Sequence, residues 1–384
     1  MAGLHPYHIL IASDSFKGSL TSVEANELIA QGVRQACHNV YISCVAVADG
    51  GEGTVDAFMR QCKGDLRELS VEGSFGNPVK AKYGLLSNGA AVIEAAAAAG
   101  IGLSGRTEDD ALRASTYGVG QLISDALDHG ATTIYVGLGG SATSDGGAGA
   151  FEALGGRLYA GDGRPVARGL VGLKDVKSLD SSQLDPRLRQ ARIVALADVL
   201  NPLCGPKGAI YTFGPQKGLQ AAHLDTFESW MVRWAFVTQQ NSKHDVSGVL
   251  GAGAAGGLGF GLAAFCHAHV EHGIEVLLRA IGFDRMLTGV DLVITGEGKI
   301  DKQTALGKTP VGIAQHACAK GIPVVAVVGS RSEDLGDVWE QGIGLVVPAV
   351  IVPATLQECI SRIGMTLPIA GETAMRAFLL GQRA

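Results

Sequence analysis

Several short stretches of this chain gather groups able to handle anionic oxygen. Ser13-Asp14-Ser15-Phe16-Lys17-Gly18 places a carboxylate, hydroxyls and an amine within six residues, and Asp49-Gly50-Gly51-Glu52-Gly53 repeats the pairing of carboxylate and glycine. Gly139, Gly140, Gly146 and Gly147 enclose Ser141, Thr143, Ser144 and Asp145. Exposed amides and hydroxyls at such a strand-to-helix junction form a natural phosphate cradle. The stretch is not a Walker A loop, because the Gly-Lys-Ser/Thr ending is missing. Glu297, Lys299, Asp301, Lys302 and Lys308 crowd into twelve residues. Carboxylates of this kind suit Mg²⁺, and the lysines suit anionic oxygens.

Two other motifs suggest chemistry less clearly. Gly251-Ala252-Gly253-Ala254-Ala255-Gly256 matches G-x-G-x-x-G. A dinucleotide fingerprint needs a strand before it and an acidic residue about 20 positions on. Only 246–250 is available as that strand, and Gly248 interrupts it; tight helix packing or a phosphate-contacting loop accounts for the glycines as well. Cys266-His267-Ala268-His269-Val270-Glu271-His272 has metal-ligand residue types, but no helical spacing aligns three of them, so a surface helix end is expected.

These groups need elements to position them. Residues 8–12 read as a buried strand, and Thr21 with Glu24 has capping-box spacing ahead of an amphipathic helix. A second strand is expected over 40–48. Near the C-terminus, 291–295, 323–328 and 345–351 are β-branched apolar runs typical of buried parallel strands. Together they predict a five-stranded doubly wound sheet in the order 2-1-3-4-5, whose switch point lies between the first and third strands. Asp14, Lys17, Glu297 and Asp301 converge there. An insert of about 70–284 interrupts this sheet. Within it, 65–71, 79–86 and 90–94 suggest an antiparallel meander, 108–129 one long helix closed by Gly130, and 133–138 and 192–197 two further strands.

Composition narrows the class. Gly accounts for 55 of 384 residues, about twice ordinary usage, without the period of collagen. The net charge of −6 and the absence of a basic run argue against nucleic acid and polybasic membrane binding. Seven scattered cysteines make neither a zinc site nor a disulfide framework. No apolar run is long enough to span a bilayer, and residues 9–12 are too short for a signal-peptide core. A cytoplasmic α/β enzyme is expected.

The motifs beginning at Asp14, Ala48 and Gly137, together with Asp198-Val199-Leu200-Asn201-Pro202-Leu203-Cys204-Gly205 and 296–310, occur in order over nearly the whole chain. In this the sequence resembles the bacterial glycerate kinase family (type I). The resemblance implies ATP-dependent phosphorylation of D-glycerate, at the 2-hydroxyl, with Mg²⁺. It also implies a flavodoxin-like domain, 1–69 and 285–384, interrupted by an inserted α/β domain, 70–284, with a restriction-enzyme-like core. On this reading Lys17, Asp198 and Asp301 are catalytic, and Asp198, Glu297 and Asp301 hold the metal. Ser13, Asp14, Ser15, Lys17, Gly139, Gly140, Ser141, Thr143, Asp145, Asn201, Gly253, Gly256 and Lys299 contact substrate or phosphate. Which loop takes ATP and which takes glycerate stays open, and a homodimer is allowed. The alternative is an NAD-dependent oxidoreductase acting on a small hydroxy acid, which rests on Gly251–Gly256.

Overall fold

The computed structural model describes residues 6–241 and 246–382. The chain divides into two compact units, Met1–Asp49 with Asp56–Gln61 and His272–Ala384, and Gly50–Val55 with Cys62–Glu271. Parallel strands and helices alternate in both, so the architecture is mixed α/β.

The first unit is built on a fully parallel five-stranded sheet. Its order is Leu345–Pro348, Val324–Val328, Leu292–Gly296, Tyr7–Ser13, Val40–Cys44. The runs Val324–Val328 and Leu292–Gly296 are buried at every position, as strands covered on both faces require. Adjacent registers such as Ser13 opposite Gly296 bring the carboxyl ends of the first and third strands side by side. The helix Ser22–Ala36 starts with the expected capping box of Thr21 and Glu24. It packs on the long helix Leu356–Gly381, where a Cβ at Gly32 would lie 1.9 Å from the Pro368 carbonyl oxygen. Backbone contact that close admits only glycine. The second strand is shorter than the expected 40–48: pairing stops at Cys44, and 45–48 continue as buried irregular chain.

The second unit carries a six-stranded mixed sheet, ordered His269–Glu271, Arg192–Leu196, Thr133–Gly137, Ala90–Glu94, Pro78–Leu86, Gly64–Glu72. The last three pair antiparallel, as the meander predicts, but Ala90–Glu94 also pairs in parallel with Thr133–Gly137. A small antiparallel hairpin, Arg157–Ala160 with Val176–Asp180, is an addition that sequence periodicity did not reveal.

The helix expected over 108–129 is two helices, Glu108–Arg113 and Tyr117–Asp128. Apolar periodicity continues across the break, so periodicity could not locate it. The break is imposed from outside: Thr116 donates its amide and hydroxyl to the Asp145 carboxylate at 2.8 and 2.9 Å. The histidine stretch also differs from expectation. Its helix, Ala254–Cys266, ends before it, His267 is left-handed at φ 54°, and His269–Glu271 forms an edge strand. Among the described residues, no helix is long and apolar enough to cross a membrane.

Candidate active site

In the first unit, the turn after Tyr7–Ser13 is held from the following helix. Asn26 accepts the Ser13 amide at 2.8 Å and donates to the Val45 carbonyl at 2.9 Å, while the Ser22 hydroxyl donates to the Ser13 carbonyl at 2.6 Å. Asp14 follows directly. Its Oδ1 accepts the Ser15 amide at 2.6 Å and its Oδ2 accepts the Thr309 hydroxyl at 3.0 Å. Burial, joined by the charges of Asp49 and Glu297, pushes the Asp14 carboxyl up to about 8 against those two hydrogen bonds.

Glu297 lies just past the neighbouring strand Leu292–Gly296. Burial pushes it up to about 7; the Thr304 hydroxyl, 2.7 Å from its Oε1, and Lys308 act in the opposite direction, while Asp301 and Asp49 add to the rise. Thr304 also accepts the Asp301 amide at 3.2 Å, and Asp301 accepts the Gln303 amide at 2.9 Å. Ser13, Asp14, Ser15, Glu297 and Asp301 thus stand on adjoining strand ends. Lys17 and Lys299 are exposed on the same two loops. Thr304 and Thr309 also belong to this arrangement, a role that the sequence did not reveal. The Pro310 that follows marked only a helix start.

In the second unit, Thr133–Gly137 and Arg192–Leu196 run parallel with Gly137 opposite Leu196, so the loops after them leave the same sheet edge. Gly139 passes so close to Gly51 that a Cβ would lie 2.5 Å from the Gly51 Cα. Asp145 is buried and fully engaged, accepting from Thr116, from the Gly147 amide at 3.1 Å and from the Gly149 amide at 3.1 Å. It organises the loop's return into helix Ala148–Ala153. Burial nevertheless holds its carboxyl above the ordinary range. Under the loop lies Lys217, 3 % exposed, whose ammonium donates to the Thr143 carbonyl and stands 3.5 Å from the Ser141 hydroxyl. No sequence motif pointed to it. Asp198 is half-buried just past Arg192–Leu196.

The glycines of 251–256 serve packing between backbones. A Cβ at Gly253 would lie 2.3 Å from the Pro202 carbonyl oxygen, and one at Gly256, where φ is +65°, 1.9 Å from that of Thr143. The Gly253 amide donates to the Asn201 carbonyl at 2.9 Å, and the Asn201 side chain donates to the Lys207 carbonyl at 2.7 Å. Residues 246–250 form turns where a dinucleotide fingerprint requires a strand. Gly253, Gly256 and Asn201 thus organise these loops, and the strand on which the NAD alternative depends is absent at 246–250.

The donor set of the first unit fits a hard divalent cation. Its carboxylates repel one another and retain protons near neutrality, a tension that a cation relieves. Among the described residues no group of three or more His, Cys, Asp or Glu side chains forms a ready cage. Mg²⁺ needs none, since it is commonly held by one or two carboxylates with substrate phosphates and water. As for the histidines, His267 and His269 are exposed and His272 is half-buried. Replacing all three by Asn should leave activity near wild type, because Asn tolerates the left-handed backbone at 267. Stoichiometric zinc in the purified protein, lost in the triple variant, would overturn that expectation.

Residues 9–379 match the glycerate kinase family. A glycerate kinase of Halalkalibacterium halodurans is 43 % identical over 336 residues, covering 87 % of this chain and 88 % of that protein. A glycerate 2-kinase of Escherichia coli is 41 % identical over 351 residues, covering 91 % and 92 %. A crystal structure of a candidate glycerate kinase 2 from Salmonella typhimurium LT2 superposes with a TM-score of 0.83 at 37 % identity, covering 99 % of this chain and 100 % of that one. Matched along nearly its whole length in sequence and in fold, the chain belongs to the glycerate kinase family.

Proposed function

We infer that this protein is a glycerate kinase that transfers the γ-phosphoryl group of ATP to the 2-hydroxyl of D-glycerate, giving 2-phosphoglycerate. The observation that carries this reading is the match across 9–379, which takes in all five motifs. The choice of the 2-hydroxyl follows the name of the Escherichia coli relative. The parallel order of the first unit supports a flavodoxin-like domain, and the second sheet an inserted domain with a restriction-enzyme-like core; the expected bounds, 1–69 with 285–384 around 70–284, shift to those of the two units, because the strand Gly64–Glu72 pairs within the second sheet. Seven free thiols accord with a cytoplasmic location.

Phosphoryl transfer asks a protein for positioning and charge neutralisation more than for covalent chemistry. Glu297 and Asp301 are the residues we assign to Mg²⁺; when bound, the ion neutralises charge on the transferring group. Lys17 and Lys299 offer ammonium groups to anionic oxygen. We assign Asp14, held by Ser15 and Thr309, to accept the proton of the substrate hydroxyl. The loop 139–147 cradles a phosphate or the glycerate carboxylate.

The test is turnover with D-glycerate, L-glycerate, glycerol and glucose under Mg-ATP, with the product isomer resolved by phosphorus NMR. D-glycerate should be strongly preferred and 2-phosphoglycerate formed. Equal turnover of glycerol would remove the carboxylate from recognition, and 3-phosphoglycerate would correct the regiochemistry. Thermal stabilisation by Mg-ATP and not by NAD is expected alongside.

A further inference from the structure

We propose that Lys217 is the positioning residue of the 139–147 loop, a buried ammonium that sets the loop's shape and makes it a receptor for an anionic oxygen group of one of the two substrates. The inference rests on the glycerate kinase reading and extends it to a residue no motif assigned. Three observations support it.

The first is the contact itself. Lys217 ends the helix Ala209–Lys217, is followed by the left-handed Gly218, and reaches 74 residues back to the Thr143 carbonyl. In a trans peptide the carbonyl and the next amide point in opposite directions. Pulling the Thr143 carbonyl toward the ammonium therefore turns the Ser144 N–H away from it. A neutral side chain of the same length fills the space without imposing that orientation.

The second is charge. A buried ammonium is tolerated when a carboxylate pairs with it. The carboxylate whose field reaches Lys217 is Asp145, and its oxygens are taken by Thr116, Gly147 and Gly149. The ammonium's own contacts are a carbonyl and a hydroxyl. The positive charge under the loop is left to be balanced by an incoming anion. Burial pushes Lys217 down to about 8, against the pull of Asp145.

The third is an unfinished hydroxyl. Ser144 is 1 % exposed, and its Oγ has no hydrogen-bond partner. Buried polar atoms in folded proteins are paired, and one that is not needs something to complete it. It lies next to the peptide that Lys217 orients.

The shared chemistry is an anionic oxygen, and its source is either the nucleotide phosphates or the glycerate carboxylate. Lys217→Met tests the proposal. It keeps the stem and removes the charge, and a melting curve reads the fold separately from the kinetics. kcat/KM should fall by about 100-fold. The KM for the substrate that supplies the anion should rise at least tenfold, with the other KM unchanged; which one rises identifies the source. Binding is read independently of turnover through Trp234, whose indole donates to the Gly146 carbonyl at 3.0 Å. With Trp230 and Trp339 replaced by Phe, its emission should respond to ADP or to D-glycerate in the Lys217 protein and lose that response in the Met variant.

Wild-type KM values and a kcat within threefold would overturn the proposal. A loss of activity that only follows a loss of folded protein, with both KM values unchanged, would do the same. Should the Met variant not fold, Ser141→Ala takes its place: it removes the hydroxyl that stands 3.5 Å from the Lys217 ammonium, and a KM within twofold of wild type for both substrates counts against the proposal. A wild-type protein that fails to phosphorylate D-glycerate defeats the functional reading itself, and does so without any variant.

Discussion

Asp14→Asn and Glu297→Gln should each lower kcat/KM for D-glycerate by about 100-fold or more while leaving the protein at least as thermostable as wild type. The loss of rate follows from the kind of group removed. Preorganised charge at a phosphoryl-transfer site is worth on the order of 3 kcal/mol of barrier per group. The gain in stability follows from what the fold tolerates. Both carboxyls are buried and repelled by neighbouring acids, which is why they sit at about 8 and about 7.

For Asp14 the folded value lies above the unfolded one of about 3.9. Between these the folded state binds more protons than the unfolded state, so stability falls as pH rises from about 4 through about 8. Asn has no such titration, and its stability advantage, measured without divalent cations, should widen across that window. Geometry is preserved, because the amide oxygen still accepts the Ser15 N–H and the Thr309 hydroxyl can rotate to accept from the amide nitrogen. Steady-state kinetics beside melting curves at several pH values decide the matter. Folded variants with rates within threefold of wild type would mean that the acids are a structural cluster and the phosphoryl chemistry lies elsewhere.

Gly256→Ala should produce the opposite signature, a large loss of stability that drags activity with it. A left-handed alanine costs about 1–2 kcal/mol. Forcing a methyl into packed backbone adds about 1–3 kcal/mol. At Gly256 both apply: φ is +65° and the new Cβ would stand 1.9 Å from the Thr143 carbonyl oxygen, the acceptor that Lys217 uses. A total of about 2–5 kcal/mol in a unit of this size corresponds to a melting shift on the order of 10 °C.

Gly140→Ala is the control. Its φ is also positive, at +73°, but the nearest atom to a new Cβ is the Ala96 methyl at 3.4 Å, so only the backbone term remains. Gly146 cannot serve as a comparably clean probe of loop function, since a Cβ there would lie 2.4 Å from Trp234 Cδ1. Calorimetry on the two alanine variants separates the cases. If Gly256→Ala melts within 2 °C of wild type, the three-loop packing around Thr143 is looser than the structure implies.

Much of this protein is legible in its sequence. Val324–Val328 is five β-branched or small apolar residues in a row, and no solvent-facing strand reads that way. Thr21 and Glu24 announced a helix start because a capping box is a local event, complete within four residues. Asp14 and Glu297 stood out because carboxylates just past buried strands are expensive unless they are used. Strand order then brought them together, and the order followed from counting parallel runs.

What the sequence determined by itself was local: which segments are buried strands, where helices begin, which loops carry acids, lysines and hydroxyls, and through its ordered motifs the family. What only the tertiary structure decided was the set of partners. Thr309 meets Asp14 across 295 residues, Thr116 meets Asp145 across 29 and breaks a helix whose periodicity never falters, and Lys217 meets Thr143 across 74. The glycines of 251–256 looked like a nucleotide fingerprint because a glycine records only that something approaches closely. Whether that something is a phosphate or another stretch of backbone depends on chain brought near by the fold. Periodicity and capping act over a few residues, whereas hydrogen bonds, burial and charge act through space.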